Sequence, residues 1–165
     1  MVSIRCRNHM ITLDLKTFQQ SREGGNVTGV IYVDLESGAF PGTGWSDFPV
    51  IILSWWSDAL FQLETRTRRE VVWQFMDGPQ SLTLTKLTGT SPGGALTFEQ
   101  LENDLLDAAK RVVAHCERHK LLSNDLDTLR MNVGRLGLRM NVERKGNSGL
   151  SQIEIRPSVA IDSYQ

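Results

Sequence analysis

Ser46-Asp47-Phe48-Pro49-Val50-Ile51-Ile52-Leu53-Ser54-Trp55-Trp56-Ser57-Asp58-Ala59-Leu60-Phe61-Gln62-Leu63 decides the fold. Phe48, Ile51, Ile52, Trp55, Trp56, Ala59, Leu60 and Leu63 recur at the 3, 4, 7 spacing of one helical face. Val50, Leu53 and Phe61 carry apolar character well around the cylinder, so this is a largely buried, central core helix. Ser46 or Asp47 is placed to cap its free N–H groups, and Pro49 falls in the first turn, where no donor is missed. Trp55 and Trp56 point about 100° apart on a helix. They cannot share one core equally, and one of them faces a second layer or a partner.

Upstream, residues 10–15 alternate, with Ile11, Leu13 and Leu15 on one face, as in a half-buried strand. Val27, Gly29, Ile31, Val33 and Leu35 form the inward face of a second strand. Gly24-Gly25 makes the loop between them. The two strands pair, because a slip of one residue turns an apolar face outward. Residues 37–44, with three glycines and Pro41, form a loop. Beyond the helix, residues 70–75 and 81–87 are strands around Met76-Asp-Gly-Pro-Gln80. Asp77-Gly78 suits positive φ there, and Pro79 ends ladder donation. Residues 88–95, with Pro92-Gly-Gly94, are a loop.

Thr97 and Gln100 make a capping box. Leu101, Leu105, Ala108, Ala109, Val112, Val113 and Cys116 form the apolar stripe of the helix that follows. Glu99, Glu102, Asp104 and Asp107 lie in its first half and Lys110, Arg111, Arg118 and Lys120 in or just past its second, which complements the helix dipole. Ser123 caps a shorter helix through Leu126, Leu129 and Val133, ending near Gly134 or Gly137. Leu138, Met140 and Val142, then Ile153 and Ile155, alternate around Lys145-Gly-Asn-Ser-Gly149 as a late hairpin, with a tail from 158. This order gives an α+β fold: an antiparallel sheet with helices packed on one face. Residues 1–134 are read as a single α+β domain, to which 135–165 append the C-terminal hairpin and tail.

A chain of 165 residues, 40% hydrophobic and 22% charged, holds one domain with a core and is not disordered. Eighteen Lys+Arg against nineteen Asp+Glu leave a net charge of −1, which excludes a nucleic-acid coat. No apolar run nears the ~18 residues of a membrane span. Neither nucleic acid nor membrane is therefore expected as a partner. The first ten residues lack an apolar signal segment, and Cys6 and Cys116 cannot build a disulfide framework. The expectation is a soluble cytoplasmic protein. Residues 128–165 carry six basic and three acidic side chains, Arg135, Arg139, Arg144, Lys145 and Arg156 among them. No aromatic residue joins them before Tyr164 to stack on bases.

His115-Cys116-Glu117-Arg118-His119 has metal-ligand spacing, since histidines at i and i+4 can share an ion. It is not His-Glu-x-x-His, the remaining histidine is His9, and Cys116 falls on the apolar stripe. A solvated helix end is the preferred reading, so no metal or other cofactor is expected. No Gly-x-Ser-x-Gly elbow occurs. Residues 24–29 lack the lysine of a phosphate loop and precede a strand. Asp34 and Glu36 read as a solvated strand face. No catalytic residue is assigned, and the chain is expected not to be an enzyme. A small metal-dependent enzyme using His115 and His119, or a non-catalytic interaction adaptor, stand as alternatives.

Ile11-Thr-Leu-Asp14, Ser21-Arg-Glu-Gly-Gly-Asn-Val-Thr-Gly-Val-Ile-Tyr-Val-Asp34, Trp45-Ser-Asp-Phe-Pro-Val-Ile-Ile-Leu-Ser-Trp-Trp56 and Phe75-Met-Asp-Gly-Pro79 resemble segments of small bacterial immunity proteins of polymorphic toxin systems. The resemblance covers roughly residues 10–130 and carries over no catalytic residue. It implies a protein that binds its cognate toxin and occludes the toxin's active site. Against a nuclease, Glu99, Glu102, Asp104 and Asp107 would mimic phosphates and form the toxin-binding surface. Against an acidic site, the late basic segment would take that role.

Overall fold

The computed structural model describes residues 9–65, 68–87, 96–143 and 151–158. They form β1 (Ile11–Gln20), β2 (Val27–Leu35), β3 (Gly38–Phe40), β4 (Ser46–Asp47), α1 (Pro49–Glu64), β5 (Glu70–Gln74), β6 (Ser81–Lys86), β7 (Leu96–Thr97), α2 (Phe98–Arg118), α3 (Asn124–Glu143) and β8 (Gln152–Ser158). The loop read at 88–95, the turn at 145–149, the tail beyond 158, Cys6, Arg144 and Lys145 lie outside the described residues. Every strand pair is antiparallel, and the fold is α+β. The strands divide between two sheets, where a single sheet was expected.

In the first sheet β2 is central, with β1 along one edge and β3 and β4 sharing the other. Val27, Ile31 and Val33 point inward, in register with β1 through Ile11↔Val33 and Leu13↔Ile31. Gly29 shares that inward face for a steric reason: a Cβ there would lie 2.3 Å from the Phe18 ring. The ladder shifts register between Asp14 and Gln19. The Thr17 hydroxyl bridges the irregularity, accepting the Val30 N–H (2.8 Å) and donating to the Asp14 carbonyl (2.6 Å). β1 thereby continues past the alternating stretch.

The second sheet runs β5-β6-β8-β7. Val71, Trp73, Leu82, Leu84 and Ile153 turn inward from it. α1 packs against β5, β2, α2 and α3, and its Ile52, Leu53, Trp56, Leu60 and Leu63 are fully buried. Trp56 stacks parallel on Trp73 with ring centroids 4.6 Å apart. Trp55, one residue earlier, faces outward at 44% exposure.

The entry to α1 departs from the sequence reading. Ser46 and Asp47 form β4, and Phe48 holds the cap position without a side-chain cap. Asp47 is buried and bonded elsewhere. One carboxylate oxygen accepts the Phe48 N–H (2.8 Å); the other accepts the Trp45 indole N–H (3.0 Å) and the N–H groups of Met76 (3.1 Å) and Asp77 (3.2 Å). A core carboxylate needs such donors to offset its desolvation. These tie the helix start to the β5–β6 turn.

The capping box of α2 forms: Gln100 N–H donates to Thr97 Oγ1 (3.1 Å), and Thr97 N–H to Gln100 Oε1 (2.9 Å). Ser123 Oγ accepts the Leu126 N–H (3.3 Å). α3 then runs unbroken to Glu143 through both glycines, which corrects the stop near 134–137 and the strand at 138–142. Leu129, Val133, Leu136 and Met140, at three- and four-residue steps, turn toward the core. That helical period overrides the accidental alternation of Leu138, Met140 and Val142. β8 is a strand as read, but it pairs with β6 and β7. The division at 134 falls inside a helix.

Ile52 has no exposed surface. Ile52→Asp places an unpaired carboxylate in this core, at a cost of several kcal/mol. Soluble expression should be lost; a soluble variant with the wild-type circular dichroism spectrum would show that α1 lies outside the core.

Candidate functional site

The four carboxylates of α2 do not form one surface. Glu99 is exposed and Asp107 half-exposed, 3.9 Å from both Arg111 and His9. Glu102 and Asp104 are buried, which corrects their expected position off the apolar face. Asp104 Oδ2 accepts the N–H groups of Met10 (2.7 Å) and Ile11 (2.8 Å), and Oδ1 lies 3.1 Å from His9 Nδ1. It fastens the start of β1 to α2. The signal was in the spacing, since Leu101, Asp104, Leu105 and Ala108 share one helical face. The available acidic pair is Glu99 and Asp107.

His115 and His119 end α2 with ring centroids 4.3 Å apart, and the Phe18 ring packs edge-on against His115 at 5.5 Å. Burial, then the neighbouring His119 and Arg118, hold the His115 imidazole below its ordinary value. Cys116 is fully buried between them in sequence, and burial pushes its thiol up to about 11. His9 is engaged by Asp104. Among the described residues no three His, Cys, Asp or Glu side chains gather as a metal site.

Among the described late basic residues, Arg135, Arg139 and Arg156 each have an acidic partner. Arg135 lies 3.5 Å from Asp58 and 4.4 Å from the Phe61 ring centroid. Arg139 pairs with Glu64 and lies 4.8 Å from the same centroid. Arg156 pairs with Glu154 at 2.9 Å. Asp34, on the strand face read as solvated, accepts the Thr12 hydroxyl (2.9 Å). No family model matches this chain, and no curated protein or solved structure matches it either. No helix among the described residues is long and apolar enough to cross a membrane.

The core helix also leaves a large aromatic side chain at the surface. Trp55 projects from the outer side of α1, on a backbone held by the fully buried Ile52, Leu53 and Trp56. An aromatic side chain on so rigid a support loses little entropy when a partner covers it. The sequence indicated that one of the two tryptophans faces away from the core; the position of β5, which receives Trp56, decides that it is Trp55.

The lowered His115 value has a sign. The folded chain binds fewer protons at this site than the unfolded one, so its stabilising effect is complete above the unfolded value of about 6.5 and is lost as pH falls through the folded value. The melting temperature should drop between pH 7.5 and 5, and less steeply in His115→Gln. Equal slopes for both proteins would refute this coupling.

Proposed function

We propose that this chain is an immunity protein that neutralises a cognate bacterial toxin in the cytoplasm, by one-to-one binding and occlusion of the toxin's active site. The observation that carries the reading is Trp55: a large aromatic side chain left 44% exposed by the helix that organises the core. Tryptophan is a frequent anchor of tight interfaces, where a few residues carry most of the binding energy. The partner class comes from the resemblance of residues 10–130 to immunity proteins. A contact of about 800 Å² per partner is enough to exclude substrate. Glu99 and Asp107 then act as rim charges, which set association rate more than affinity.

The reading expects the gene immediately upstream to encode a large protein with a toxin-like C-terminal domain, and the test is co-expression with that neighbour, scored by survival and co-purification. A 1:1 complex is expected, with protection lost below that ratio. Trp55→Ala should weaken binding by about 30-fold, the equivalent of ~2 kcal/mol at a hot spot, while the melting temperature holds. Glu99→Lys with Asp107→Lys should chiefly slow association. His115→Ala with His119→Ala should protect fully. Protection of a large toxin excess by a trace of this chain would overturn the binding mechanism and show that the chain reverses a modification.

A further inference from the structure

The two sheets present four edges among the described residues, and three of them are blunted. β1 shifts register between Asp14 and Gln19, exposes Lys16 in the irregular stretch, and has its Ile11 N–H held by Asp104. β3, β4 and β7 are only two or three residues long. Irregular register, lysines and short strands are the usual guards against foreign strands. β5 has none of them. Its residues, Glu70-Val-Val-Trp-Gln74, pair with β6 in unbroken register and include neither proline nor lysine. Which groups face its open side follows from the ladder. Phe75 N–H donates to the Gln80 carbonyl (3.1 Å) and Lys86 N–H to the Arg69 carbonyl (3.0 Å), so the odd-numbered residues of this strand spend their N–H and C=O groups on β6. Glu70, Val72 and Gln74 turn theirs the other way. Among the described residues only the Gln74 carbonyl has a partner there, the Trp56 indole N–H (3.0 Å), so α1 reaches the edge one residue from Trp55. Val72, at the middle of the edge, is 45% exposed.

We infer that the partner adds an extended segment of its own chain to β5, as a fifth strand of the second sheet bonded through Val72. Free donors and acceptors at every second residue are the complement of an extended backbone, and strand addition takes its affinity from such main-chain bonds. Arg68 and Arg69, exposed where β5 begins, have no ion pair among the described residues, so the incoming segment is acidic at that end. A second copy of this chain is the wrong occupant. α1 packs on β5 itself, with Trp56 flat on Trp73. Symmetric, antiparallel pairing of two β5 edges would set the strands ~4.8 Å apart with an α1 on the same face of each, whereas packed helices need about 8–10 Å. The occupant is therefore a strand that brings no helix to this face. The inference rests on the toxin reading for the identity of the partner: the segment belongs to the toxin.

Residue-resolved amide hydrogen exchange tests it, on the free full chain and on its complex with the toxin-like domain expected from the upstream gene. In the free chain the Val72 amide should exchange ~100-fold faster than those of Val71 and Trp73, and in the complex it should slow by a similar factor. Val72→Pro deletes the edge-facing N–H and no ladder bond, which an edge strand tolerates, so it should fold and weaken the complex by ~10-fold or more. Val72→Thr keeps that N–H and the branched shape and should bind within ~3-fold of wild type. A Val72 amide already protected in the free chain, or still fast in the complex, overturns the inference. So does a complex that Val72→Pro leaves intact; in that case the toxin reading stands and another surface binds. A homodimer of the free chain that Val72→Pro abolishes gives the edge to a second copy and overturns the partner named here. No complex with the wild-type chain overturns the toxin reading and takes the inference with it.

Discussion

Two indole rings lying flat on one another hold this domain together. Trp56 of α1 and Trp73 of β5 stack at 4.6 Å, and each ring spends its N–H on backbone across the contact. Trp56 donates to the Gln74 carbonyl (3.0 Å) and Trp73 to the Trp56 carbonyl (3.2 Å). Phe75 meets Trp56 edge-on at 5.3 Å, and Phe40 of β3 meets Phe75 at 5.8 Å. An aromatic chain thus runs from the first sheet through α1 to the second. Each pair adds about 0.5–1.5 kcal/mol beyond burial, but the larger effect is geometric. Fixing Trp56 against β5 fixes the rotation of α1, and with it which residues of that helix meet solvent.

Around this axis the buried acids act as fasteners. Asp47 gathers donors from the entry to α1 and from the β5–β6 turn; Asp104 gathers two N–H groups from the start of β1. Each joins segments distant in sequence, and removing either carboxylate leaves at least two backbone N–H groups without their acceptor. Acidic residues that look available for chemistry are consumed by the fold. The same holds for Arg135 and Arg139, whose guanidinium groups bracket Phe61 and bind α3 to α1.

Much of this was legible along the chain because the signals were local. The alternation of β2, the helical period of α1 and the Thr97–Gln100 box each depend on residues within a few positions of one another. The end of α3 was not legible: Gly134 and Gly137 read as a stop on propensity, while tertiary packing of Leu129, Val133, Leu136 and Met140 carries the helix past them. The second sheet was hidden for another reason. Ile153 and Ile155 announce a strand, but nothing in their spacing names β6, some seventy residues earlier, as its neighbour. At the candidate site, the tryptophan doublet declared that two directions exist. Which ring points outward depended on a strand whose position no local pattern encodes. The acidic surface was half misread because Asp104 was taken by its charge and not by its place on the apolar face.

The position of β8 bears on how the chain can be made. It lies between β6 and β7, so an interior strand of the second sheet is the last of the described elements to leave the ribosome. Until then the β5–β6 hairpin keeps one edge open, and β7 has no strand to lean on. Unpaired edges of this kind attract foreign strands, and pairings this distant in sequence form slowly. The nascent chain therefore passes through a stage in which α1 already has its hydrophobic face but the sheet beneath is unfinished. Joining β6 to β7 in the second sheet requires the seven residues of β8.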